Sequence, residues 1–335
     1  MKINIFTEAE LAGIKTTGIV TSYKTLKEGL EKQKIEVSVN KKNGYDLLHV
    51  HSFGPLSLLK AMREKKPVVM TTHTVPEEIS ILYWGGRYIQ KIFDKYLIYV
   101  YNQSDMLISP SNFAKTRLQE LGVKSKIVVE SNGIKKGNFS KSKEKRKIFR
   151  EKFDIGEDEV VIGCVGLPSK RKGLDVFHEV SKKHPDKKFI WIGENIYNKL
   201  LKDYKYLKIL EENSNDNFIL TGFVDDIQAA YSAMDIFMLP TMIETEGLVV
   251  LEAISSDLPV ITSKVQGLDW IKEKNHCLKA SNIQEYTEAI NDLLENPEKT
   301  KKMIEKSKDL LSKKDINQVI PRIIELYKTL IVEGS

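Results

Sequence analysis

The chain has 335 residues, a length that suits about two domains. Its 41% hydrophobic and 29% charged residues exclude a disordered chain, and two cysteines exclude a disulfide framework. No stretch reaches about 18 consecutive apolar residues, so no spanning helix is expected, and the opening run Ile3–Phe6 is shorter than a signal-peptide core. The net charge of +6 is unevenly spread. Residues 1–134 carry 19 basic and 13 acidic side chains, 135–152 carry 9 and 2, and 153–335 carry 24 and 31. The first 152 residues are thus +13 and the rest −7, an imbalance that points to an anionic surface or polymer as partner.

In chain order, short apolar runs alternate with amphipathic stretches, the pattern of βα units and parallel sheets. Strands are predicted at Lys2–Phe6, Ile35–Val39, Asp46–Val50, Val68–Thr72, Met106–Ser109 and Lys126–Val129. Helices are predicted between them at Gly18–Gln33, Pro55–Glu64, Glu77–Tyr101 and Asn112–Leu121. The second half repeats the theme, with strands at Val160–Val165, Phe189–Ile192, Asn217–Leu220, Ile236–Leu239 and Pro259–Thr262. Its helices fall at Lys172–Lys183, Ile196–Glu212, Asp225–Ala233, Leu248–Ser255 and Ile283–Leu294, and an amphipathic stretch Ile316–Val332 closes the chain. The expected organisation is a first Rossmann-like domain over 1–140, a basic linker over 141–152 and a second Rossmann-like domain over 153–312. The C-terminal helix, 313–335, is expected to pack back on the first domain. The loop after the first strand lacks the G-x-G-x-x-G of a dinucleotide fold.

The string from Leu239 to Ala253 carries the most chemistry. A strand ends at Pro240, a loop carries Glu244, and Gly247 opens a helix containing Glu252. Backbone N–H groups at Gly247, Leu248 and Val249 would be free at the helix start and suit a diphosphate. Two carboxylates at the C-terminal edge of the sheet suit sugar and ribose hydroxyls, each such bond contributing roughly 1.5–3 kcal/mol. The bland alternative is that acidic residues simply favour a helix N-terminus. A second string, Gly166-Leu167-Pro168-Ser169-Lys170-Arg171-Lys172-Gly173, places three cations between a strand and a helix, where they can neutralise a leaving diphosphate. Its alternative is a solvated basic loop. A third feature is a set of histidines at strand ends. His49 and His51 alternate along one strand, and His73 ends the next, which puts His51 and His73 on one rim. No carboxylate is spaced to complete a metal site with them, while His178, His184 and His276 read as surface or core residues.

Taken together these strings resemble the family 4 glycosyltransferases of the GT-B fold over essentially the whole chain. The family's E-x7-E motif matches Glu244 and Glu252, its lysine-glycine element Lys172-Gly173, and a strand-loop element Thr221-Gly222-Phe223-Val224-Asp225. In the first half, Asp46-Leu47-Leu48-His49-Val50-His51, His73-Thr74, Ser109-Pro110-Ser111 and Ser131-Asn132-Gly133-Ile134 also match. Arg171-Lys172-Gly173, Phe189-Ile190-Trp191-Ile192-Gly193 and Glu244-Thr245-Glu246-Gly247 look similar to bacterial enzymes that glycosylate diacylglycerol or monohexosyl diacylglycerol. The resemblance implies an α/β GT-B architecture: two doubly wound parallel-sheet domains with an inter-domain cleft. It also implies a nucleotide-sugar donor, retention at the anomeric carbon, no metal and no resident cofactor. By that resemblance Glu244 contacts the sugar, Glu252 the ribose, and Lys172 with Arg171 the diphosphate. Gly18 approaches the phosphates from the first domain, and His73 lies beside the transferred sugar. The chain departs from the family at Leu167, where an arginine is usual, at Thr17-Gly18 and Gly267-Leu268, where glycine pairs are usual, and at Glu246, where an aromatic residue is usual.

The acceptor side is read from Ile79–Tyr101. On a helix Arg87, Lys91 and Lys95 align, bordered by Trp84, Tyr88 and Tyr99, while Ile89, Phe93, Tyr96 and Val100 form a core-facing stripe. Basic residues beside interfacial aromatics suit an anionic bilayer, each cation contributing on the order of 1 kcal/mol. A solvated basic face is the alternative, and Gly85-Gly86 is a point where the helix can break. Nucleic acid is not expected, because no helix-turn-helix, RNP or zinc signature is present. The leading expectation is a hexosyltransferase moving glucose or galactose from a UDP-sugar to a membrane lipid, peripheral on the cytoplasmic face of the cell membrane. Transfer to a soluble or polysaccharide acceptor, or a catalytically silent GT-B subunit, remain the alternatives.

Overall fold

The structure is a computed structural model that describes residues 1–14, 17–82, 86–194 and 203–333, with backbone alone at 79, 80, 82, 86–89 and 213. It divides into two units. The first unit takes Met1–Ser80, Gly85–Lys135 and Lys313–Ser335, and the second takes Ile81–Trp84 and Lys136–Ser312.

Strands of the first unit are β1 (Lys2–Phe6), β2 (Glu36–Val39), β3 (Leu47–Val50), β4 (Val68–Thr71), β5 (Met106–Ser109) and β6 (Lys126–Val129). Between them run α1 (Glu8–Leu11), α2 (Gly18–Lys32), α3 (Pro55–Met62), α4 (Pro76–Leu82), α5 (Gly86–Tyr101) and α6 (Asn112–Glu120). The sheet is parallel, in the order β2-β1-β3-β4-β5-β6. Its central strands are buried on both faces, as parallel strands covered by helices must be. Alternation then sorts the side chains. Leu47, Val69, Met106 and Ile108 join the core with α2, while Leu48, Val50, Val68, Met70 and Leu107 join the core with α5.

The second unit contains α7 (Lys143–Lys152), β7 (Val161–Val165), α8 (Leu174–Ser181), β8 (Lys188–Ile192), α9 (Tyr204–Asn213), β9 (Phe218–Gly222) and α10 (Ile227–Ala233). It continues through β10 (Ile236–Leu239), α11 (Leu248–Ser255), β11 (Val260–Ser263), β12 (Leu278–Ala280), α12 (Ile283–Glu295) and α13 (Pro297–Lys314). Its parallel order is β12-β11-β10-β7-β8-β9. Strand order therefore reverses between β7 and β10 here, and between β1 and β3 in the first unit. Open α/β sheets bind ligands at the carboxyl ends of the strands flanking such a switch point.

Four expectations change. Residues 141–152 are no linker: α7 is N-capped by Ser142 and belongs to the second unit. Two of its arginines explain why. Arg150 is buried and donates to the carbonyls of Ala233 and Gly156 and to Asp235, and Arg146 donates to Ser232, Ala233 and Asp235. They satisfy carbonyls that the end of α10 leaves without helical partners. The charge imbalance shrinks accordingly, to 24 basic against 16 acidic residues in the first unit and 28 against 30 in the second. The helix expected over Glu77–Tyr101 is described as α4 and α5 on either side of residues 83–85, and the helix expected from Ile196 is described from Tyr204; residues 83–85 and 195–202 lie outside the described residues. Lys172 ends a 3-10 turn, Lys170–Lys172, and the α-helix begins only after Gly173. Finally, α13 and the three-residue β12 were not foreseen.

The last helix, α14 (Ile316–Glu333), returns to the first unit. Its Ile316, Val319, Ile320, Ile323, Tyr327 and Leu330 pack with Val20, Tyr23, Leu26 and Leu30 of α2. Gly29 permits this packing, since a Cβ there would run into the Ile320 side chain. Arg322 adds a bidentate pair to Glu130 at 2.6 and 2.9 Å.

Candidate active site

In the second unit the loops beyond β7 and β10 meet at the switch point. Ser169 caps the 3-10 turn by accepting from the Lys172 amide. The two loops are tied by backbone: the Met242 amide donates to the Arg171 carbonyl at 2.8 Å. Arg171 also donates to the Ile243 carbonyl at 3.4 Å. Gly173 lies in the left-handed region at φ +82, and a Cβ there would overlap the Pro240 carbonyl oxygen. This close seam places the Lys172 ammonium in an ion pair with the Glu244 carboxylate, both side chains mostly buried.

Glu244 is held from its other side by Gly267, whose missing Cβ leaves room for the Glu244 carbonyl. Of the expected glycine pair Gly267 is the member this chain keeps, and its contact with the Glu244 backbone is not visible in the sequence. Gly247 then turns the chain into α11 at φ +75, and no side chain caps this helix. Its first amides, at Gly247, Leu248 and Val249, lack partners in the preceding turn, as every helix start does. Glu252, one turn on, accepts from the buried Tyr231 hydroxyl at 2.7 Å. Burial pushes its carboxyl up to about 7, with the Tyr231 bond opposing that shift. Tyr231 sits on α10, and no sequence spacing connected it with Glu252.

In the first unit the rim expected from the histidines forms. His51 Nδ1 and His73 Nε2 are hydrogen-bonded at 3.1 Å. His49 lies one layer down, bonded to the Tyr327 hydroxyl at 2.5 Å and the Thr71 hydroxyl at 2.7 Å, which ties α14 to the sheet. Burial lowers all three imidazoles, His73 to about 4 and His49 to about 3, so they are neutral at pH 7. Gly18 is the first residue of α2, with open space around it and Thr17 as cap. Lys91 and Lys95 are exposed on α5; Trp84 and the Arg87 side chain lie outside the described residues. His178 and His184 are buried and His276 half-buried.

The family profile described as Glycosyl transferases group 1 matches residues 145–310, and Glycosyltransferase Family 4 matches 37–136. The processive diacylglycerol alpha-glucosyltransferase of Acholeplasma laidlawii is 31% identical over 337 aligned positions, covering 99% of both chains. The chain belongs to this glycosyltransferase family. The alpha-galactosylglucosyldiacylglycerol synthase of Streptococcus pneumoniae is 24% identical over 92% of this glycosyltransferase and 84% of its own length. Among solved structures, Anabaena Alr3699/HepE in complex with UDP and glucose aligns with a TM-score of 0.82 at 18% identity. That match covers 98% of this glycosyltransferase and all of the Anabaena chain, and the fold is GT-B. No helix among the described residues is long and apolar enough to cross a membrane.

Proposed function

We propose that this glycosyltransferase moves a hexose, glucose or galactose, from a UDP-sugar to diacylglycerol or a monohexosyl diacylglycerol, as a peripheral protein on the cytoplasmic face of the membrane. The observation that carries the reading is the Lys172–Glu244 pair at the switch point of the second sheet, beside the uncapped start of α11. A bound donor would draw Lys172 and Arg171 to its diphosphate and free Glu244 for sugar hydroxyls, with Glu252 on the ribose. The acceptor then follows from the relatives, which are named as diacylglycerol and glycosyldiacylglycerol enzymes.

In the proposed reaction the acceptor oxygen bonds to the anomeric carbon on the face from which the diphosphate departs. The anomeric C–O bond to phosphate breaks, and the acceptor proton passes to the leaving phosphate oxygen. Configuration is retained, and no protein nucleophile is assigned. Fixed cations at the diphosphate and a held acceptor supply the rate, and neither a metal nor a resident cofactor is required in this scheme. Within the first unit, His73, neutral, offers a hydrogen bond to a sugar hydroxyl, and Gly18 leaves the start of α2 open to a phosphate.

The test is incubation with UDP-glucose, UDP-galactose or GDP-mannose, with and without anionic vesicles containing diacylglycerol or monohexosyl diacylglycerol. The reading expects an α-linked glycolipid from a UDP-sugar. Sugar transfer only to a soluble acceptor would replace it.

A further inference from the structure

Helix α3 is amphipathic in the unusual sense. Its Ser57 and Ala61 are buried and Leu58 is half-buried, yet Leu56, Leu59 and Met62 point outward at 52, 44 and 50% exposure. A surface helix ordinarily shows water its polar face. The neighbouring α5 continues the patch: Ile92 is 72% and Tyr99 50% exposed, and the Tyr99 hydroxyl lies 3.8 Å from the Met62 sulfur. Lys91 and Lys95 flank it on α5, and Arg63, Lys65 and Lys66 follow α3, all exposed. Of the acids among them, Glu64 is taken up by Lys60 at 3.1 Å and by the Tyr45 hydroxyl at 2.5 Å, and Asp94, between Lys91 and Lys95, is half-buried. Large apolar side chains ringed by cations fit an interface in which hydrocarbon and negative headgroups meet. A second copy of the chain fits poorly, since it would set the same cations against one another.

The patch is also wired to the sheet edge that carries the histidines. Only Ser52, Phe53 and Gly54 separate His51 from α3. The start of α3 is capped from a distance by Glu8, whose carboxylate accepts from the Ser57 amide at 2.7 Å, and Gly54 makes room for that carboxylate. Ser52 accepts from the Glu8 amide at 3.0 Å, and the Tyr96 hydroxyl of α5 donates to the Phe53 carbonyl at 2.8 Å. We propose that α3, through Leu56, Leu59 and Met62, is the element that inserts into an anionic lipid surface, with α5 as its cationic flank. A lipid headgroup drawn from that surface then emerges at the edge holding His51 and His73. This rests on the lipid-acceptor reading and specifies how the enzyme would reach its acceptor.

The experiment measures partitioning of the full chain onto phosphatidylcholine vesicles with and without phosphatidylglycerol, together with UDP binding and sedimentation in the absence of lipid. The Leu56→Ser/Leu59→Ser/Met62→Ser variant should lose at least a hundredfold in partitioning, about tenfold per large apolar side chain, with UDP binding unchanged. Lys91→Gln/Lys95→Gln should lose about fivefold per charge, on anionic vesicles alone. If wild type partitions and the triple variant partitions equally, the insertion surface is overturned while the lipid reading stands. If wild type ignores every vesicle yet glycosylates a soluble acceptor, the lipid reading falls and this inference with it. A dimer that the triple variant dissolves would assign the patch to a second copy and overturn the proposal.

Discussion

In the second unit the loops beyond β7 and β10 bring a lysine and a glutamate into a mostly buried pair, seated by glycines that allow backbone to touch backbone. In the first unit His49 within β3, with His51 and His73 just beyond β3 and β4, forms a group of three imidazoles that burial keeps uncharged. Both arrangements sit at the carboxyl edge of a parallel sheet, and they suit different ligands. A preformed ion pair can exchange one partner for a charged ligand at little reorganisation cost, because the cation is already desolvated and aimed. Neutral imidazoles offer hydrogen bonds without a field, which suits uncharged hydroxyl groups. The two sheets thus carry different groups at their carboxyl edges, an ion pair in one and neutral imidazoles in the other.

The largest expected effect breaks the charged side. Lys172→Ala or Glu244→Ala should lower transfer by about 10²–10³-fold in steady-state assays, with circular dichroism unchanged. Equal losses in His73→Ala would mean that the neutral side carries as much of the chemistry. Next comes Gly267→Ala, which pushes a methyl group into the Glu244 carbonyl. A displacement of about 1 Å there should cost on the order of a hundredfold in kcat. Near-normal turnover would show that the Glu244 loop tolerates movement.

Smaller effects follow from protonation. The Glu252 carboxyl is raised to about 7 by burial, so the free protein holds its proton up to neutral pH. Ribose hydroxyls donate best to the ionised form, so UDP-glucose affinity should rise about tenfold between about pH 6 and pH 8, and Glu252→Gln should flatten that rise in calorimetric titrations. Because this pKa is raised on folding, its contribution to stability is present below the ordinary carboxylate range and is lost as pH rises through 7. The histidines run the other way. Their pKa values fall on folding, so their contribution is complete above about 6.5 and is lost as pH drops toward 4. Amide exchange, corrected for its intrinsic pH dependence, should show β3 and β4 losing protection at about pH 5 relative to pH 7. Unchanged protection would mean the imidazoles are better solvated than their burial implies.

Most strands were legible because parallel strands buried on both faces read as continuous apolar runs, and β1, β5, β6 and β10 match their predicted bounds. β12 has three residues, too few to carry a pattern. α7 was misread because nine basic residues within 135–152 look like a solvated linker. What folds it is a set of carbonyls and Asp235 more than eighty residues away. Of the site, Lys172, Glu244 and Glu252 were visible through motif spacing, whereas Tyr231 acts through a contact between two helices and Gly267 through one between two loops. The helix at α3 was foreseen, but its outward apolar face was not, since periodicity gives a stripe without saying which side the sheet covers.

The proposed reaction has Lys172 and Glu244 serve transfer of a sugar into lipid. The most direct measurement follows radiolabel from UDP-glucose and UDP-galactose into the organic phase of diacylglycerol vesicles, for wild type and Glu244→Ala side by side. Wild type should give labelled glycolipid with at least one donor, and the variant should lose about a hundredfold or more. Comparable label in both proteins, or none in the lipid phase from wild type with either donor, would contradict it.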